Sequence, residues 1–402
     1  MNAPSGAGRG FADVAYEEAL QRARDLVPAL RERAAAAESD RIMPAATQAD
    51  LHRTGLLRVL QPKRWGGMEF DFVAYVDFSE ELARGCASTG WTVGNLLIHH
   101  WMLALYDERA QEEVWGANPD ALIASGIAYP QGSGKAAKGG FNVSGRWNFS
   151  SGVNIADWNM LAVTVREGDK VVDHRMCLLP KSEYEVVDDW HVLGMRSTGS
   201  MTVVAKDVFV PEHRALAVYE ARGGDKFPGA RGNPNPIYRV PLSALAAHGI
   251  GGVAVGNAQA AFELSVEAVK ARSTAYMGLK MRDIQSVQVR VGAAGARIDT
   301  ARQIIRRDCF EAMEFARRNA MPDPVAKLRW KRNLAYAAGI CREAVDILHE
   351  LAGANGIYDG YPIQRIFRDA HALGAHMSFN TDAQFSASGL AALGGENFPP
   401  TL

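Results

Sequence analysis

The sequence predicts a mainly helical α+β chain, built as a helical N-terminal domain, a central β-barrel or sandwich and a C-terminal four-helix bundle. Three observations lead there. Residues 13–120 are rich in Ala, Leu, Arg and Glu, residue types of high helix propensity. Residues 121–220 change to short apolar or β-branched runs parted by turn-forming pairs, Gly139-Gly140 and Gly168-Asp169 among them. From 242 to 402 apolar residues recur at threes and fours, the spacing of helices packed in a bundle.

Each region carries its own punctuation. Pro44 and the Pro62-Lys63-Arg64-Trp65-Gly66-Gly67 turn break up the first helices. The runs at 160–165, 176–179 and 202–204 are short and closely spaced, which predicts a small antiparallel sheet closed or folded on itself. Gly223-Gly224, Pro228, Gly232, Pro234 and Pro236 predict a linker over 221–241. Beyond it, Val287, Val291, Ala294, Ile298, Ala301, Ile305 and Ala312 mark one bundle seam. Leu334, Ala338, Cys341, Val345 and Leu348 mark a second, and abundant Ala and Gly permit close approach of backbones.

Composition excludes several classes of function. A length of 402 residues suits two or three packed domains, and 48% hydrophobic with 22% charged residues is an ordinary globular balance. The net charge of −1 leaves no electrostatic footprint for nucleic acid or an anionic membrane. Cys86, Cys177, Cys309 and Cys341 are far apart, so neither a zinc site nor a disulfide framework is expected, and no metal is assigned. Residues 1–10 lack the apolar run of a signal peptide, and no window approaches a membrane span of about 20 apolar residues. The expectation is a cytoplasmic protein.

The order of these regions, together with several motifs, resembles the acyl-CoA dehydrogenase fold across nearly the whole chain. The 62–67 turn is similar to that family's early Pro-x-x-Tyr/Trp-Gly-Gly. Gly194-Met195-Arg196-Ser197-Thr198-Gly199-Ser200 and Asp207-Val208-Phe209-Val210-Pro211 look like its late barrel signature. Gly353-Ala354-Asn355-Gly356 resembles its glycine-rich turn before the final helix. Tyr361-Pro362-Ile363-Gln364-Arg365 to Ala370 looks like the lead into its catalytic glutamate, but an ungapped count puts that position on Met377, beside His376. A thioether offers no lone pair for proton abstraction, whereas an imidazole does. The chain keeps the surroundings of a dehydrogenase and lacks its base.

Within that fold the closest resemblance is to two-component flavin-dependent monooxygenases, such as the oxygenases of hydroxyphenylacetate and secosteroid phenol hydroxylation. It rests on Ala87-Ser88-Thr89-Gly90-Trp91-Thr92-Val93-Gly94 with Ile98-His99-His100-Trp101, and on Gly145-Arg146-Trp147-Asn148-Phe149-Ser150-Ser151-Gly152. The resemblance implies reduced FMN or FAD supplied by a separate flavin reductase, and O2 as cosubstrate. It further implies oxygen addition at the flavin C4a carbon, then transfer of one atom to a small aromatic, phenolic substrate. His376 is the expected base, with His99 binding the substrate's polar group or helping to protonate the peroxide; the family has proline at His100. Ser125 and Ser150 match hydroxyls near the flavin N5 and C4a edge, with Ser151 beside them, and Trp91 matches an aromatic at the ring. Arg272 is the expected phosphate ligand, with Asn355 and Gly356 in the glycine-rich turn. In this fold the phosphate contact often crosses a subunit interface, which implies a homotetramer. The alternatives are N- or S-oxygenation on the same fold, or an acyl-CoA dehydrogenase with a relocated base.

Overall fold

A computed structural model describes residues 10–275 and 277–395; the leader expectation for 1–10 and the tail beyond 395 lie almost wholly outside them. Five helices open the chain: α1 (Tyr16–Asp40), α2 (Ala45–Thr54), α3 (Val73–Gly85), α4 (Ala87–Leu103) and α5 (Glu108–Gln111). The strands follow as β1 (Ile123–Gly126), β2 (Gly132–Ala137), β3 (Gly140–Ser150), β4 (Trp158–Glu167), β5 (Lys170–Pro180), β6 (Glu185–Val187), β7 (Met201–Pro211) and β8 (Ala215–Ala217). Short α6 (Leu242–Leu245) leads into α7 (His248–Ala271), α8 (Gln285–Arg317), α9 (Pro324–Ala352), α10 (Pro362–Gly374) and α11 (Thr381–Ala392).

The sheet departs from the antiparallel expectation in its middle. Its order is β6-β7-β3-β2-β4-β5-β8, and both β1 and β2 run parallel to β4. β1 pairs with the first half of β4 (Ile123 opposite Trp158) and β2 with its second half (Ser133 opposite Thr164). They behave as one strand interrupted by the turn at Tyr129–Gln131. β3, β4, β5 and β7 are also longer than the apolar runs suggest, because backbone pairing continues through exposed polar residues such as Arg146 and Lys170.

The bundle seams form as expected. Val287, Ala294, Ile298, Ala301, Ile305 and Ala312 are buried on α8, with Val291 half-buried, and Leu334, Ala338, Cys341, Val345 and Leu348 are buried on α9. The 221–241 connector is packed rather than free. Gly229 N–H donates to Leu105 O at 3.0 Å, Trp101 Nε1–H donates to Ile237 O at 2.8 Å, and Ile237 and Tyr238 are buried. Among the described residues no helix is long and apolar enough to cross a membrane.

Glycines decide how α3 sits. Its backbone is met from one side by α4, where a Cβ on Gly90 would lie 2.8 Å from Ser79 O. It is met from the other by α7, where a Cβ on Gly252 would lie 2.5 Å from Val76 O and one on Gly256 2.2 Å from Glu80 O. No side chain fits between these helices, so α4 is held against α3 at backbone distance. That placement sets where its candidate site residues emerge.

Candidate active site

α4 is buried on nearly all sides; Trp91 and Asn95 are its only half-buried residues. Trp91, Asn95 and His99 lie four apart and so share one stripe of the helix. Asn95 Nδ2–H donates to Trp91 O at 2.8 Å. Sequence reasoning missed Asn95; the signal that could have found it was a polar residue on this stripe of an otherwise apolar helix.

The indole joins two groups of residues. Trp91 Nε1–H donates to Ser151 Oγ at 3.0 Å, Ser151 Oγ meets Ser200 Oγ at 2.8 Å, and Ser200 Oγ meets Thr198 Oγ1 at 2.7 Å. On its other side the Trp91 ring meets the His376 ring edge-on, with centroids 5.6 Å apart. Gly152, at φ +73°, lets the 149–152 turn lie on α4, since an added Cβ would be 2.9 Å from Thr92 Cγ2.

His376 is not on a helix. It caps the turn Met377–Phe379 after α10, and its Nδ1 accepts from Ser378 N–H at 3.2 Å. A backbone N–H can only donate, so Nδ1 carries the lone pair. Burial depresses its pKa to about 4, so the ring is neutral at pH 7 and its proton is on Nε2. The neighbouring Met377 is 78% exposed, so the imidazole rather than the thioether faces Trp91. Asp382 stands exposed in the first turn of α11, a separate helix.

The paired histidines of α4 have opposite surroundings. His99 Nδ1 lies 2.7 Å from Ile123 O on β1; a carbonyl can only accept, so Nδ1 carries the proton and Nε2 the lone pair. Burial lowers its pKa to about 4, against the opposing effect of that hydrogen bond. Ser125 follows two residues along the same strand. His100 turns into the core, with Nε2 3.1 Å from Ala121 O, Nδ1 unpartnered among the described residues, and its ring edge-on to Trp115. Burial holds its pKa near 3.

The other candidates fall elsewhere. Ser150 is fully enclosed and its hydroxyl accepts from Asn159 Nδ2–H at 3.0 Å, so it turns into the sheet rather than toward Trp91. Arg272 caps the end of α7 and donates to Ala352 O at 3.2 Å. It lines a cavity of about 60 Å³ with Tyr361 and Pro362, at the start of α10. Asn355 and Gly356 are in the turn just after Ala352. Arg368 pairs with Glu38 and with Leu193 O, away from the Trp91 group. No group of three His, Cys, Asp or Glu suited to a metal occurs among the described residues.

An aromatic face flanked by hydroxyls on one side and an imidazole on the other fits a planar heteroaromatic cofactor with hydrogen-bonding edges. The comparisons with known proteins agree with this reading. Residues 15–117 and 248–381 match the N-terminal and C-terminal domains of acyl-CoA dehydrogenases. The chain is 38% identical to the flavin-dependent monooxygenase oxygenase subunit HsaA of Mycobacterium tuberculosis (strain CDC 1551 / Oshkosh), over 88% of this chain and 89% of the relative. It is 34% identical to the oxygenase component of the FADH2-dependent resorcinol hydroxylase of Rhizobium sp., covering 89% of each. The crystal structure of 3-HSA hydroxylase from Rhodococcus sp. RHA1 superposes with a TM-score of 0.91 at 34% identity, covering 96% of this chain and 99% of that one. The chain therefore belongs to the oxygenase subunits of the flavin-dependent monooxygenases, enzymes of the acyl-CoA dehydrogenase fold that work with reduced flavin and O2.

Proposed function

We propose that this oxygenase hydroxylates a phenolic ring at the Trp91–His99–His376 site, with reduced flavin delivered by a separate reductase. Relatives named for resorcinol and p-hydroxyphenylacetate hydroxylation support the substrate class. Bound there, reduced flavin supplies the electrons that activate dioxygen, one atom going to the ring and the other to water.

One observation carries the division of labour: the two imidazoles present opposite faces. His99 keeps a free lone pair on Nε2 because Ile123 O holds its Nδ1 proton. His376 offers an N–H at Nε2 because Ser378 occupies its Nδ1. This supports His99 as the group that takes the phenolic proton, with Ser125 beside it, and His376 as the donor toward the oxygen being reduced. The sequence points to His376 as the base; we infer the opposite assignment, on the ground that the His376 Nδ1 lone pair is engaged by Ser378 N–H. A phenol titrates near 10, so full ionisation before reaction is uphill at neutral pH, and a positioned base is worth roughly 10²–10⁴-fold.

The test is His99→Asn, which keeps a donor for Ile123 O but removes the base. It is expected to consume reduced flavin and O2 near the normal rate, release hydrogen peroxide, and lower phenol hydroxylation about 100-fold or more. If instead His376→Ala shows that pattern and His99→Asn hydroxylates normally, the roles are the other way round. We infer assembly into a homotetramer from the resemblance to this fold, in which the phosphate contact of Arg272 would cross a subunit interface.

A further inference from the structure

The hydroxyl chain behind Trp91 has a direction that its two ends impose. At one end the indole N–H can only donate. At the other, Thr198 Oγ1–H donates to Met195 O at 2.9 Å, and a carbonyl can only accept. Thr198 has then spent its only proton, so Ser200 must donate to it. Ser200 in turn must accept from Ser151, and Ser151 accepts from Trp91. Every hydroxyl proton in the chain points away from the indole, toward Met195.

The far end is anchored to α10. Met195 sits at φ +58°, an uncommon conformation for a side-chain-bearing residue. Its N–H donates to Asp369 Oδ1 at 2.6 Å. Gly194 lies against the same helix so closely that a Cβ there would be 2.4 Å from Arg368 O. Asp369 is buried, so its carboxylate and the glycine together fix where the Met195 carbonyl points.

We propose that Thr198, Ser200 and Asp369 are positioning residues whose task is to leave Ser151 facing the site with a lone pair and no proton. An acceptor-only hydroxyl prefers a ring that presents an N–H. Reduced flavin carries an N–H at ring position 5, where oxidised flavin has a bare lone pair. The chain thus biases the site toward reduced flavin and against the oxidised form that must leave. This rests on the flavin reading of the site given above.

Ser200→Ala cuts the chain and returns a proton to Ser151, which can then donate to oxidised flavin. The measurement is anaerobic equilibrium binding of FMN and FAD, each oxidised and dithionite-reduced, followed by flavin fluorescence or dialysis. Loss of one neutral hydrogen-bond preference corresponds to a change of about 2- to 10-fold in the ratio of oxidised to reduced dissociation constants. That ratio is expected to fall by this factor in Ser200→Ala and to return in Ser200→Thr, which restores the hydroxyl. A ratio unchanged in Ser200→Ala, or both constants moving by one factor, overturns the proposal and leaves a merely structural chain. Parent protein that binds neither redox form would instead overturn the flavin reading itself.

Discussion

The tautomers of His99 and His376 are each fixed by a single backbone group, and both rings are kept neutral by burial. With pKa values near 4, neither ring titrates between pH 6 and 9, so the yield of hydroxylated product per reduced flavin is expected to be flat there. It should fall as the pH approaches 4, when His99 loses its lone pair to a proton; a step near pH 6.5 in product yield would count against the buried base. His100 makes the matching case for stability. Its folded pKa near 3 lies below the ordinary 6.5, so the unfolded chain takes up a proton first as the pH falls. The stability tied to this neutral ring is present above pH 6.5 and lost below it, by about 2–3 kcal/mol at pH 4.5. His100→Gln keeps a donor for Ala121 O; its deficit against the parent at pH 7 is expected to shrink by about that amount at pH 4.5 in urea unfolding. The candidate residues were legible in the sequence, because Trp91 and His99 stand in a motif and His376 stands beside a vacated glutamate position. Which proton each carries was not, because Ile123 and Ser378 act through backbone atoms that any residue would supply. Ser150 and Ser151 are neighbours with the same chemistry, and only the turn at 149–152 separates one into the sheet and the other toward Trp91.

At the scale of elements, the α3–α7 contact shows how glycines set geometry. An exposed helical Gly→Ala normally gains about 0.5–1 kcal/mol. At Gly256 the new Cβ would fall 2.2 Å from Glu80 O, a backbone atom that cannot swing aside. Gly256→Ala is therefore expected to destabilise the protein by about 1–3 kcal/mol, whereas Gly292→Ala on α8, with nothing within 4 Å of its Cβ, should be neutral or stabilising. Thermal unfolding of the two variants checks the sign of each. The bundle seams were legible because a 3.6-residue period is local, and α8 and α9 bury the residues their periodicity marks. The parallel pairing in the middle of the sheet was not, because Ile123 and Trp158 are 35 residues apart and nothing near either one states the direction of pairing. Strand lengths were misjudged for a related reason: apolar runs report burial, and β3 and β5 continue their ladders through polar positions facing water.

Across the whole molecule, the candidate residues divide between the two ends of α10. Tyr361 and Pro362 at its start line the Arg272 cavity, while His376, just past its end, meets Trp91. Fourteen residues of largely helical chain separate Pro362 from His376, roughly 20 Å at 1.5 Å per residue. If a flavin ring sits against Trp91, that separation argues against its ribityl phosphate being held by Arg272 of the same chain. Arg272 can serve that site from a second subunit, or it can reach the distal phosphate of a dinucleotide. These routes make different predictions for Arg272→Met. If Arg272 serves the ring site at all, affinity for reduced flavin should drop about 10-fold or more, as expected for losing a charge-assisted contact, while the product formed per bound flavin stays constant. Comparing FMN with FAD then separates the routes. A loss confined to FAD places Arg272 on the distal phosphate, and an equal loss for both, accompanied by flavin affinity that depends on protein concentration, places it across a subunit boundary. Unchanged affinity for both flavins would remove Arg272 from the site and leave its bond to Ala352 O as a clamp between α7 and α9.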